Sequence, residues 1–241
     1  MTLSPVVDHV APVLALDPRR DALRDLRTVL PGVVPFGIFL GMTVTLTGSG
    51  AAAGLLGAGL VYGGSAQLTT ITVLSLGSGL VTAVAAGLVV NARILLYGAA
   101  LAPWFRDQPR WFRLVGAQFL LDQTYLSAVA RPAYGERPAL FRRYWVWLGL
   151  TLLAVWLVAV GSGMALAPLV PDLPHLVLVG TAMFVALLVP KLVDRPSLAS
   201  ALVAATTAAL VAQVVSNIAV LAGAAAGVAC AVLVSRDGAR S

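Results

Sequence analysis

The sequence predicts an all-α protein, a polytopic transmembrane helical bundle of six to eight membrane segments, some of them discontinuous or re-entrant. Three observations predict it. Residues 28–92 contain no Asp, Glu, Lys or Arg, a gap that soluble domains of ordinary composition do not leave. The chain is 59% hydrophobic and 11% charged, whereas soluble domains carry about 25% charged residues. Apolar runs long enough to span a bilayer, about 20 residues each, recur along it.

The elements follow in order. Residues 1–28 read as a cytoplasmic N-terminal segment, with Asp21 to Arg27 lying at the interface. A secretory signal places positive charge ahead of its apolar core; here Arg19, Arg20, Arg24 and Arg27 come after Pro5, Asp8, Pro12, Asp17 and Pro18. Residues 29–235 form the predicted transmembrane transport domain, with clear spans at 29–47, 80–102, 144–167, 174–190, 197–214 and 217–235. Residues 236–241 are a cytoplasmic tail. Two stretches are ambiguous: 51–78 is broken by Gly63-Gly64-Ser65, and 114–130 carries Gln118, Asp122, Gln123 and Thr124. Cys230 is the single cysteine, so no internal disulfide is expected.

Charge sets the orientation. Apart from Arg93, the basic residues fall in loops at 19–27, 106–113, 131–143, 191–195 and 236–240. If both ambiguous stretches dip in and return, there are six spans, and every loop positive lies inside. If both cross, there are eight spans, and Arg106, Arg110 and Arg113 fall outside. Both forms put the termini in the cytoplasm, and the positive-inside rule favours the first. The loop around Pro171 and Asp172 has no Lys or Arg and should face out. A net charge of +6 would suggest nucleic acid for a soluble chain. Arginines beside apolar runs point instead to membrane lipid headgroups, and no nucleic-acid partner is expected.

Polar residues inside the apolar stretches are the candidate site. Ionisable groups at membrane depth are costly and mark functional positions. They are Arg93 and Asp122, the latter the one acid that reads as buried. Gly63 and Gly64 permit a helix break, and Ser65 and Gln67 follow it. A half-helix starting near Ser65 would aim free N–H groups at an anion such as a carboxylate. The alternative is that the glycines serve close packing, since Gly37/Gly41, Gly50/Gly54 and Gly59/Gly63 share small-xxx-small spacing. Arg93 either pairs structurally with Asp122 or lines a pathway with Asn91. On a straight helix Asn91 and Arg93 point about 200° apart and share a face only if the helix unwinds. The substrate-binding candidates are therefore Gly63, Gly64, Ser65, Gln67, Asn91, Arg93 and Asp122.

Those residues carry a family resemblance. Pro31-x-x-x-Pro35-x-Gly37 with Gly41, Tyr62-Gly63-Gly64-Ser65-Ala66-Gln67, Asn91-Ala92-Arg93 with Leu96 and Gly98, and Leu121-Asp122-Gln123-Thr124-Tyr125 stand in the order seen in AzlC-type branched-chain amino acid permeases. The chain resembles that family over about residues 26–235. Family members commonly show Ala-Gly at Gly63-Gly64 and Asp-Glu at Asp122-Gln123, so one acid of a possible proton path is missing here. The resemblance implies export of branched-chain or related amino acids across the cytoplasmic membrane of a prokaryote. It also implies a small integral-membrane partner subunit of the AzlD type.

The residues themselves argue against an enzyme. Gly63-Gly64-Ser65-Ala66-Gln67 is not a nucleophile elbow, and no His lies within a span beside it as a base. There is no HExxH pair and no Walker Gly-Lys loop. No catalytic residue, metal or cofactor is expected. A non-transporting scaffold subunit and a small-solute channel remain the alternative functions.

Overall fold

Asp17 and Pro18 start the first helix. The Asp17 carboxylate accepts the N–H groups of Arg19 and Arg20 at 3.1 Å each. Proline at the first helical position gives up an N–H that would have had no partner. The helix, α1, then runs unbroken from Pro18 to Leu46, with Pro31 and Pro35 inside it. The basic segment expected at the interface is thus the opening of the first spanning helix. The structure, a computed structural model, describes residues 16–169, 192, 194–213 and 219–238. Its described residues fall into two compact units, Met1–Asp172 and Leu173–Ser241.

All regular elements among the described residues of the first unit are helical. After α1 come α2 (Ala51–Leu60), α3 (Gly64–Ser75), α4 (Leu80–Asn91), α5 (Arg93–Arg106), α6 (Arg110–Ala117), α7 (Asp122–Val129) and α8 (Pro138–Leu166). Pro138 opens α8, so this helix starts six residues before the expected span at 144–167. The pair α1 and α8 forms the spine, running parallel with backbones in contact. A Cβ on Gly41 would overlap the Val160 carbonyl, and one on Gly163 would overlap the Ile38 carbonyl. Gly37 likewise admits Trp156 and Ala159. The Gly37/Gly41 spacing therefore serves helix contact. Around this seam Leu40, Val44, Tyr144, Trp145, Leu148 and Val160 are almost completely buried.

Three interruptions define the rest. Gln67 in α3 donates its Nε2–H to the Gly54 carbonyl of α2 at 2.8 Å. A straight helix would separate these residues by about 20 Å, so the chain reverses between α2 and α3. At the second interruption, the expected span 80–102 is notched at Ala92. There Ala92 N–H bonds Val89 O and Leu95 N–H bonds Ala92 O. These i→i+3 bonds tighten the turn locally. The third separates α6 from α7. Phe105 stacks on Phe112 and Gly98 faces Leu120, so α6 runs against α5. Tyr97 stacks on Tyr125, centroids 4.4 Å apart, while Arg93 meets Asp122, so α7 runs along α5. Both ambiguous stretches are therefore helical hairpins.

One end of this unit collects the basic loops. Arg131, just after α7, grips Asp25 of α1 with Nε at 2.6 Å and Nη2 at 2.8 Å. Tyr144 of α8 donates to the same carboxylate at 2.7 Å. Gln108, between α5 and α6, donates to the Pro138 carbonyl at 2.8 Å. At the opposite end, Thr45 of α1 approaches the Met164 carbonyl at 3.5 Å. The α2–α3 hairpin enters from that opposite end, and the α6–α7 hairpin enters from the basic end. Three segments are long and apolar enough to cross a membrane: Pro18–Leu46, Leu80–Arg106 and Pro138–Leu169.

The second unit is an antiparallel pair, α9 (Arg195–Ala212) and α10 (Ala219–Gly238). Asp194 caps α9 by accepting the Ser197 N–H at 2.7 Å, which holds its carboxyl below the usual range. Gly223 and Gly227 let α10 lie against Ala204, Ala208 and Ser200, and Ser200 donates to the Gly227 carbonyl at 2.7 Å. The expected span 174–190 and the expected outward loop at Pro171 and Asp172 lie outside the described residues.

The α1–α8 seam yields a prediction. Gly41→Ala and Gly163→Ala each force two helix backbones apart, whereas Gly161 faces open space. Thermal unfolding in detergent should show both losing about 1–3 kcal/mol, with Gly161→Ala near wild type. Equal stability of all three variants would refute this seam.

Candidate functional site

The α2–α3 turn sits near half-length of the two spine helices. A Cβ on Gly64 would stand 2.5 Å from Trp156 Cη2 and 2.8 Å from Phe36 Cε1, and both aromatics lie near the middle of 29-residue helices. Irregular backbone at that depth needs internal partners for its carbonyls. They are present. Trp156 Nε1–H donates to Ala58 O at 3.2 Å, and Gln118 Nε2 donates to Leu60 O at 2.8 Å and Gly59 O at 3.3 Å. The reversal itself runs through Tyr62, whose φ is +46°. A bulky residue held in the left-handed region costs on the order of 1–3 kcal/mol. Its ring is 3% exposed and its hydroxyl reaches the Gly149 carbonyl at 3.4 Å, so packing holds the conformation.

The α3 N-terminus follows at Gly64, with Gly63 as its cap residue and no side-chain cap. Gly63 is required sterically, because a Cβ there would lie 2.9 Å from both terminal atoms of the Asn91 amide. The glycine pair thus serves both readings of the sequence: it packs closely and it breaks the helix. Ser65, in the first turn, accepts from Arg93 Nη2 at 2.8 Å. Arg93 Nε lies 3.1 Å from Asp122 Oδ1. The notch at Ala92 makes this possible, turning Asn91 toward Gly63 and Arg93 toward Ser65. The notch is the departure from a straight helix that the sequence reading required for the two to share a face.

Two half-helix N-termini, those of α3 and α7, therefore meet at Arg93, which follows the notch in the continuous Leu80–Arg106 helix. Asp122 is the first residue of α7, where the helix dipole favours negative charge. The ion pair is not sealed inside this unit: the Arg93 and Asp122 side chains are 42% and 33% exposed. Asp122 is also not the most buried acid. Asp21 and Asp25 are 14% and 18% exposed, both against Arg131.

Gln67 and Asn91 flank a second feature, a cavity of about 420 Å³ between α2, α3 and α4. Its walls are mostly apolar, with Val61, Ile71, Leu74 and Leu88 among them. Gln67 Oε1 and Asn91 Oδ1 are buried without a hydrogen-bond partner. Such an acceptor costs about 1–3 kcal/mol when left unpaired. The seven sequence-predicted residues are therefore close neighbours, arranged as an ion-pair side (Ser65, Arg93, Asp122) and an amide side (Gln67, Asn91), joined at Gly63 and Gly64.

The sequence reading missed Gln118. It was visible as a polar residue in an apolar run, but its acceptors lie nearly 60 positions away. Also missed were the Tyr97–Tyr125 stack and the cluster around Arg131. In that cluster the Arg131 guanidinium is held above its ordinary pKa, chiefly by its hydrogen bond to Asp25. Burial, then the bond to Asp21, raises Tyr134.

Residues 28–170 match the family described as AzlC protein. No curated protein and no solved structure matches the chain.

Gln118→Ala should leave the Gly59 and Leu60 carbonyls without donors. A stability loss of about 1–3 kcal/mol and faster amide hydrogen exchange at Val61–Ala66 are expected, and unchanged exchange there would count against contact between the hairpin tips.

Proposed function

This chain belongs to the AzlC family, and from that premise we propose that it is a secondary carrier exporting branched-chain or related amino acids across the cytoplasmic membrane. Family membership supports a membrane transport role, which also argues against an enzyme. Export as the direction and the small AzlD-type partner subunit belong to our reading. The observation that carries it is the meeting of the α3 and α7 N-termini at Arg93, near half-length of α1 and α8. Uncapped N–H groups and a guanidinium together suit a carboxylate. The substrate carboxylate takes the α3 N-terminus and Arg93, in competition with Asp122.

Six crossings follow from the same reading. The segments Pro18–Leu46, Leu80–Arg106 and Pro138–Leu169 cross in the first unit, and α2–α3 and α6–α7 dip in and return. Spans at 174–190, 197–214 and 217–235 complete the six. Both termini are then cytoplasmic, and the basic loops at 19–27, 106–113 and 131–143 share the inner side. The side-chain exposure of Arg93 and Asp122 supports a wet pathway or a covering subunit, because hydrocarbon would not tolerate the pair. Substrate passes when the contact between hairpin tips, Gln118 to Gly59 and Leu60, opens on one side and then the other.

Two predictions test this. In a Cys230→Ala background, an impermeant maleimide should label Ser75→Cys in intact cells and Asp107→Cys only after permeabilisation; both side chains are exposed. Labelling of Asp107→Cys from outside would eliminate the six-crossing form. In proteoliposomes holding the chain and its small partner, loaded leucine should leave in a saturable manner. Arg93→Ala and Asp122→Asn should each cut that flux at least tenfold at unchanged membrane yield. Recovery in the Arg93→Asp/Asp122→Arg double variant would assign the pair a structural role instead.

A further inference from the structure

The cavity between α2, α3 and α4 remains unexplained by a carboxylate site alone. Its lining is apolar apart from a few groups, and Gln67 and Asn91 stand at the end near the helix breaks. Gln67 is 8% exposed. Its Nε2 is committed to the Gly54 carbonyl at 2.8 Å, which fixes the amide orientation and leaves Oε1 as a bare acceptor. Asn91 Oδ1 is a second bare acceptor on the same cavity. Gly57 and Gly63 make room for these amides, since a Cβ on either would stand 2.7 Å and 2.9 Å respectively from the facing amide. Gln67 Oε1 is a fixed, buried acceptor, and beside it the Asn91 amide has no hydrogen bond to either terminal atom and can turn its oxygen to the same ligand; together they call for a ligand that brings several donors. A primary ammonium carries three N–H donors and no acceptor. A second carboxylate would meet repulsion from both oxygens.

We infer that the Gln67 and Asn91 carbonyl oxygens form an ammonium subsite, and that the cavity beyond them receives one small apolar side chain. This rests on the reading that the chain carries an amino acid, and it deepens that reading by dividing the ligand. The carboxylate lies on the Ser65–Arg93 side of Gly63, the ammonium on the Asn91 side, and the aliphatic group lies among Val61, Ile71, Leu74 and Leu88. A volume of about 420 Å³ is at the low end of small-molecule sites, about 300–1,000 Å³. It admits an aliphatic chain of a few carbons, and Ala53 on its wall sets part of its width. Substrate preference is then a property of α2 and α4 walls, and amine recognition a property of two neutral amides.

The test measures binding of radiolabelled leucine to the full chain with its small partner in nanodiscs, with unlabelled competitors. The competitors are leucine, alanine and 4-methylpentanoate, which is leucine without its amine. Wild type should favour leucine over 4-methylpentanoate at least tenfold. Gln67→Met and Asn91→Leu should bring that ratio toward one while carboxylate competition persists, and Asn91→Asp, which keeps an acceptor, should retain it. Ala53→Phe should weaken leucine at least tenfold relative to alanine. If leucine binds and none of these ratios moves, the subsite is overturned while the carrier reading stands. If one amide variant fails to accumulate, the other against Asn91→Asp still decides, through loss of the leucine preference over 4-methylpentanoate in the first alone. If wild type binds no amino acid, the carrier reading and the subsite fall together.

Discussion

A backbone carbonyl cannot be left bare in hydrocarbon, and this requirement shapes the whole first unit. Ending a helix at half-depth exposes its last carbonyls and first N–H groups. Here the α2 end is rescued by two side chains from elsewhere, Trp156 on Ala58 and Gln118 on Gly59 and Leu60, while Gln67 ties α3 to Gly54 further back along α2. Trp156 belongs to the spine, Gln118 to the opposite hairpin and Gln67 to the returning helix. The interruption is thus possible only inside this particular assembly. Conversely, the assembly is held at its middle by the interruption. Removing a donor at the tip is felt in two hairpins at once.

The electrostatics at Arg93 follow from the same geometry. Half-helix N-termini carry partial positive charge, and two of them, those of α3 and α7, gather around a guanidinium. Asp122 alone offsets this, and it does so through Nε at 3.1 Å while Nη2 turns to Ser65. A region so arranged has surplus positive potential, which an anionic group would neutralise. The proposed carboxylate position lies here because the guanidinium and the α3 N-terminus are donors, with Asp122 Oδ1 the acceptor it would compete with, whereas the cavity offers only the amides of Gln67 and Asn91. The two halves of the site therefore differ in sign, and a zwitterion has one orientation in which both of its charges are met.

Much of this was legible in the sequence, and the unread part has a common cause. The charge gap, the apolar runs at 29–47, 80–102 and 144–167 and the break near Gly63-Gly64 are local signals, and each reappears at its place among the described residues. The Arg93–Asp122 pair was inferable because two isolated charges in apolar surroundings have few choices of partner. The notch at Ala92 left no such trace: Asn91-Ala92-Arg93 has neither Gly nor Pro, and only packing against Gly63 and Ser65 favours it. Asp21 and Asp25 read only as part of a segment at the interface, because their partner Arg131 lies more than a hundred residues away. Side-chain donors to distant backbone, such as Gln118, are invisible for the same reason.

The two hairpins suggest how little has to move. They enter from opposite ends, and their tips touch through one glutamine and two carbonyls. The spine cannot yield easily, since its glycine seam leaves no room between backbones. The tips can, because each is joined to its neighbours by a few polar contacts and a turn. Tyr62 already holds an unfavourable backbone conformation there, so relaxing it would return part of what breaking the tip contact costs. At the basic end the α6–α7 hairpin is tied down by the bidentate grip of Arg131 on Asp25, a partly buried charge pair that does not open cheaply. The α2–α3 hairpin has no ion pair among its described residues. On the proposed carrier reading, it is the one of the two that physical economy selects as the moving element, with the Arg131-anchored hairpin as its fixed support.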